Sequence, residues 1–130
     1  MGSVGSNNNV DKYMYHGTSA ANLIGIYRNG LQMSSRGQLG KGVYLAYTEQ
    51  SATDWGEEQN TTNNSNIKVL RVSSNYLKSQ GNKYEQADDE QAILRTKIPT
   101  KYIEIKNRQG EWESLDTYAH RYYRTFGISR

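Results

Sequence analysis

The sequence predicts an α+β domain, on three observations. Short segments of alternating polarity recur along the chain, as half-buried strands require. A few segments of helical period interrupt them, without the regular strand–helix alternation of a doubly wound sheet. The connections are long and polar, and one of them, residues 59–66, is almost pure Gln, Asn, Thr and Ser. A chain of 130 residues makes one domain. Its 35% hydrophobic content leaves that domain a thin core, to which eleven tyrosines bring much of the packing area.

Residues 1–9 are Gly, Ser and Asn with few apolar side chains, and read as a disordered leader outside a domain of residues 10–130. Residues 12–16 read as a strand with Tyr13 and Tyr15 on one face. Ser19 is the expected cap of a helix whose apolar residues Ala20, Leu23, Ile24 and Tyr27 share one side, and Asn29-Gly30 ends it. Residues 31–40 are a glycine-bearing loop, 43–47 a strand and 49–58 a helix. The 59–66 tract is a surface loop, followed by an alternating strand at 67–72 and a short turn or helix at 76–81. Strands are expected at 91–96 and 102–106, with Ile98-Pro99 breaking the chain between them. A turn at Arg108-Gln109-Gly110 leads to a further strand at 112–115, and residues 118–124 have a weak helical preference.

Composition excludes several classes of function. The chain has no cysteine, hence no disulfide and no Cys-based zinc site. It lacks H-E-x-x-H, a phosphate-binding loop of the G-x-x-x-x-G-K-[ST] type, a nucleophile elbow, and a G-x-G-x-x-G after a strand. No apolar run approaches the ~18 residues that a membrane span needs. A net charge of +3 and a pI near 9.1 read as a solvated basic face. The segment 119–126 interleaves basic and aromatic residues, which suits either stacking on nucleic acid or a docked C-terminal helix.

The residues that carry chemistry are Tyr15-His16-Gly17-Thr18 and, further on, Gly40-Lys41-Gly42-Val43-Tyr44-Leu45-Ala46, with Trp55 eleven residues after Tyr44. A histidine, a tyrosine and a second large aromatic, each beside glycine, can form a flat slot for a planar amide ring. In order and spacing the two motifs resemble the poly(ADP-ribose) polymerase/diphtheria-toxin branch of ADP-ribosyltransferases. The resemblance covers residues 13–56 well and 84–106 more loosely. It implies an ADP-ribosyltransferase-like split antiparallel β-sheet with a few short helices, NAD as co-substrate and a His-Tyr-Glu triad.

Under that resemblance His16 donates a hydrogen bond to a ribose hydroxyl of NAD. Gly17 and Thr18 lie against the nicotinamide amide, and Gly42 lies beside the site. Tyr44 and Trp55 bracket the ring. Arg36 and Lys41 are candidates for the pyrophosphate. The family often places a serine three residues before the stacking aromatic, and here that residue is Ala52.

The third triad member is a carboxylate, because breaking the nicotinamide–ribose bond builds positive charge that a nearby anion stabilises. Lys97-Ile98-Pro99-Thr100-Lys101-Tyr102-Ile103 resembles the turn that follows the catalytic strand in bacterial relatives. Counting back from it without a gap places Gln91 at the glutamate position, whereas a bulge at the start of the strand brings Glu90 in. Glu90 is the first candidate and Gln91 the second, with Glu85 and Asp88 behind them.

The expected activity is mono-ADP-ribosyl transfer to a macromolecular acceptor, protein or RNA/DNA, by a monomer without membrane contact. The small size and the Asn/Gln-rich composition resemble a bacterial or phage toxin or effector, secreted to act in a target-cell cytoplasm and countered by an immunity protein. NAD hydrolysis is one alternative. Transfer to a small molecule is another, since antibiotic-modifying relatives also begin with Tyr-His-Gly-Thr and carry a stretch like Trp55-Gly56-Glu57-Glu58. A third alternative is an inactive module that binds ADP-ribose or a protein.

Overall fold

The computed structural model describes residues 12–35, 37–59 and 66–125. The leader, Arg36 and most of the 59–66 tract therefore lie outside the described residues. Among the described residues seven strands form one sheet: β1 (Tyr13–Ser19), β2 (Val43–Ala46), β3 (Ile67–Ser73), β4 (Tyr84–Gln86), β5 (Gln91–Leu94), β6 (Ile103–Lys106) and β7 (Trp112–Ser114). Their order is β4-β5-β2-β1-β3-β6-β7, and every neighbouring pair is antiparallel. Among the described residues four α-helices accompany them: α1 (Leu23–Asn29), α2 (Glu49–Gln59), α3 (Ser74–Lys78) and α4 (Leu115–Thr125). The chain is thus α+β. No helix among the described residues is long and apolar enough to cross a membrane.

Alternation in the strands separates two faces. Met14, Val43, Leu45, Leu70, Val72, Leu94, Ile103 and Ile105 are at most 1% exposed and join one cluster with Leu23 and Tyr27 of α1 and Leu115, Tyr118 and Ala119 of α4. Each fully buried aliphatic side chain in such a cluster contributes about 2 kcal/mol. On the other face of β1, α2 packs so closely that a Cβ added to Gly17 would lie 1.9 Å from the Ala52 carbonyl oxygen. Only small residues allow that approach, and Gly17, Ala52 and Gly56 are what the sequence places there.

Several elements depart from the expected bounds for local reasons. β1 runs on to Ser19 because β3 pairs with it along its whole length, from Tyr13↔Ser73 to Ser19↔Ile67. Ser19 makes no side-chain cap, and a 3-10 turn at Ala20–Asn22 precedes α1. Gly30 ends α1 with φ of 81°, and the Thr100 hydroxyl, just after Pro99, donates to the Ile26 or Tyr27 carbonyl, an orphan acceptor at the helix end. Ser114 accepts the Thr117 N–H at 3.0 Å, so it caps α4 and the last strand stops there. β4, which was not expected as a separate strand, forms a hairpin with β5 through Gln86↔Ala92 and Tyr84↔Leu94.

α4 buries Leu115, Tyr118 and Ala119 and leaves His120 and Arg121 exposed, the geometry of a docked amphipathic helix. Its first basic residues face acidic ones on the protein itself. His120 Nε2 lies 3.6 Å from Asp116, and Arg121 pairs with Glu113.

Candidate functional site

The site begins where β1 and β2 part. Along β1, β3 forms a seven-residue ladder, but the register with β2 holds one pair, Tyr15↔Ala46. One residue further along, the His16 imidazole takes over, its Nδ1 3.0 Å from the Tyr44 carbonyl oxygen. The two strands thus fork, and a cavity of about 510 Å³ lies in the fork. That volume falls within the range of small-molecule pockets. Consecutive residues of a strand point to opposite faces. Here His16 with Gly17, and Val43 with Tyr44, all line the cavity, which a cleft between two strands permits and a hollow on one face does not.

His16 is held neutral. The Tyr44 carbonyl can only accept, so the ring donates from Nδ1 and keeps a lone pair on Nε2. Burial pushes the imidazole pKa down, partly opposed by this hydrogen bond. The neutral ring therefore offers a ligand an acceptor at Nε2, the opposite of the donor role expected from the sequence.

Tyr44 is fixed by the loop before it. Its hydroxyl donates to the Gly40 carbonyl at 2.6 Å and accepts the Leu39 N–H at 3.0 Å. The backbone at Gly37 packs on the ring so tightly that a Cβ there would meet Tyr44 Cζ at 2.0 Å. Ser34 and Gly42 exchange backbone hydrogen bonds of 2.8 and 3.0 Å and close the loop. Gly42 is needed bare, since a Cβ there would meet Ile93 Cγ2 at 2.5 Å. Arg95 clamps the loop from outside, donating to the Leu39 and Lys41 carbonyls at 3.1 Å each and pairing with Glu85 at 3.2 Å.

The cavity is lined by His16, Gly17, Gly42, Tyr44, Trp55 and Gln91, residues singled out in the sequence, together with Gln32, Ser34, Gly37, Gln38, Val43, Glu58 and Gln59. Thr18 is not among them: it is buried, and its hydroxyl accepts from Asn22 Nδ2 at 3.1 Å. Lys41 does not line the cavity either; its carbonyl serves Arg95. Arg36 lies outside the described residues. Ala52 is fully buried under Gly17, so the position where relatives of the resembled family carry a serine faces the β1 backbone.

Register separates Gln91 from Glu90. β5 pairs with β2 without a bulge, from Val43↔Leu94 to Ala46↔Gln91, which sets Gln91 on the side of Tyr44. Glu90 lies before the strand, exposed and outside the cavity lining. Asp88 holds the turn, accepting the Glu90 N–H at 2.8 Å and the Gln91 N–H at 3.0 Å on Oδ1. The Glu90 N–H and the Gln91 side chain hold the Asp88 carboxyl below its ordinary pKa. Asp88 Oδ2 also accepts from Gln91 Nε2 at 3.2 Å. Because a carboxylate only accepts, that contact fixes the amide, and Gln91 keeps Oε1 free to accept.

Glu58 and Gln59 are two of the seven lining residues that the motifs did not mark as site residues. Both follow Trp55 at helical spacing, i+3 and i+4, which puts the three on one flank of α2. No protein-family profile and no curated protein sequence matches this chain.

Proposed function

We propose that this protein is an NAD-dependent mono-ADP-ribosyltransferase that moves ADP-ribose from NAD to a macromolecular acceptor and releases nicotinamide. One observation carries the reading: a single cavity gathers His16, Gly17, Tyr44, Trp55 and Gln91 from four separate elements. The antiparallel sheet, forked between β1 and β2, is compatible with the split sheet of the ADP-ribosyltransferase fold.

In this reading the nicotinamide ring enters the fork with Trp55 on one side and Tyr44 on the other. Gly17, without a side chain, lets the amide approach its backbone. Neutral His16 accepts a hydrogen bond from a ribose hydroxyl at Nε2, and Gln91 Oε1 is a second acceptor for the sugar. Two aromatic walls orient the leaving group and keep water off its amide. The acceptor is a protein or a nucleic acid, and an immunity protein is the expected partner of such an effector.

A second reading has its own support. The residue at the start of β5, which lines the cavity, is a neutral amide. A site without a strand-borne carboxylate favours water or a single transfer over polymer formation, so NAD glycohydrolysis is the alternative. Both readings are tested with NAD labelled on the adenylate phosphate, incubated with the purified protein in lysate and in buffer. Label fixed to protein or nucleic acid and lost in His16→Ala establishes transfer. Label appearing only as free ADP-ribose establishes hydrolysis, and intact NAD in both refutes the two together.

A further inference from the structure

We infer that Glu58, on the last turn of α2, is the catalytic carboxylate of this cavity: it receives the proton of the attacking hydroxyl group, from water or from an alcohol-bearing acceptor. The inference rests on the NAD reading above and adds the group which that reading lacks.

Among the described residues Glu58 is the only carboxylate that lines the cavity. The acidic residues near β5 lie outside that lining. Asp88 is taken up by the turn and the Gln91 amide, and Glu90 is exposed outside the lining. Gln91 offers an acceptor without charge. Positive charge developing at the ribose carbon calls for an anion, and the geometry leaves one.

The setting of α2 explains why Glu58 faces the site. Ala52 and Gly56 dock the helix on Gly17 at backbone contact, fixing its rotation, and Trp55 with Glu58 one turn on occupies the adjacent flank. The position also runs against local stability. Glu57 and Glu58 sit at the negative end of the helix dipole, where a carboxylate is disfavoured, and no basic residue occupies the last turn. Among the described residues no cation pairs with Glu58. A residue that breaks a local rule and lines a cavity is where function is expected to override stability.

The bond between the ribose C1′ and the pyridinium nitrogen breaks, its electron pair goes to that nitrogen, and nicotinamide leaves neutral. The hydroxyl oxygen of the acceptor bonds to C1′, and its proton passes to the Glu58 carboxylate. No further reactant is required.

The test measures nicotinamide release and NAD quenching of tryptophan fluorescence, all on a Trp112→Phe background that leaves Trp55 as the reporter, in the otherwise wild-type protein, Glu58→Gln, Glu58→Ala and the neighbouring control Glu57→Gln, which lies outside the cavity lining. Glu58→Gln is expected to lower kcat about 100-fold while KM and quenching change less than about twofold. Its Tm is expected to be unchanged or higher, which a structural role for Glu58 does not produce. Added formate or azide is expected to restore part of the activity of Glu58→Ala, and Glu57→Gln is expected to match wild type. Quenching with wild-type turnover in Glu58→Gln overturns the assignment alone, as does an equal loss in Glu57→Gln. Quenching without any release from wild type makes the site a binding module and overturns it too. Absence of both quenching and release in wild type overturns the NAD reading and the assignment together.

Discussion

Two aromatic clusters flank β1, one around Trp55 and one around Trp112, and they differ in what occupies the space between the rings. Around Trp112 the protein fills that space itself. The Arg71 guanidinium lies 3.8 Å from the Tyr13 ring centre and 4.4 Å from that of Trp112, and its Nε donates to Glu104 at 2.6 Å. Tyr15 tilts against Trp112 at 5.9 Å, and Lys106 bridges to Glu49 at 2.9 Å. Around Trp55, by contrast, His16, Tyr44 and Gln91 stand around a cavity of about 510 Å³, each held by backbone or by a neighbouring turn. Both clusters combine tyrosine, tryptophan and polar side chains. Satisfied by its own cation, the first reads as structure, whereas the second, rigidly held but open, reads as a binding site.

The largest effect that separates them is expected from Gly17→Ala. The added Cβ meets the Ala52 carbonyl at 1.9 Å, backbone against backbone, so α2 must move. Overpacking of this kind costs about 3 kcal/mol, which is a fall in Tm of roughly 10 °C or more. Thermal unfolding measures the fall, and a parallel NAD titration is expected to show binding lost. Arg71→Ala comes next and sharpens the contrast. Removing a stacked, mostly buried guanidinium and its ion pair costs about 2 kcal/mol. Here Tm falls while NAD affinity stays at the wild-type value; a loss of affinity would mean the two clusters are coupled.

A smaller effect follows from pH. Burial lowers the pKa of His16 in the folded protein below its unfolded value. Between those two values the unfolded chain binds a proton that the native state refuses, so stability declines as pH falls through the ordinary histidine range towards the lowered value. Above that range the contribution is fully present. Tm measured against pH should show this slope in wild type and a shallower one in His16→Gln. The smallest effect is expected from Glu90→Gln. The side chain is exposed and outside the cavity, so stability should move by less than about 0.5 kcal/mol. Nicotinamide release should stay at the wild-type rate.

Much of the architecture was legible because its signals are local. The apolar spacing of Leu23 and Tyr27, the stop at Gly30 and the alternation in β3 and β6 each determine their element almost alone. The limits of β1 were less legible, since the strand extends by pairing with β3, a partner far along the chain. In the site, His16, Tyr44 and Trp55 were legible from their glycine neighbours, and the structure brings them to one cavity. The choice between Glu90 and Gln91 was not, because one residue of register changes the face and only the β2–β5 ladder shows the absence of a bulge. Thr18 looked like part of the motif, yet its hydroxyl serves Asn22. Glu58 was within reach, three residues after Trp55 on a helix, but its spacing carries meaning only once the docked face of α2 is known.

The chain has two tryptophans, one in each cluster, and this allows the most direct test. NAD is titrated into Trp112→Phe and, separately, into Trp55→Phe while tryptophan fluorescence is followed. Saturable quenching is expected in Trp112→Phe, where Trp55 is the remaining reporter, and little or none in Trp55→Phe. Quenching confined to Trp55→Phe, or no quenching in either protein, would contradict that expectation.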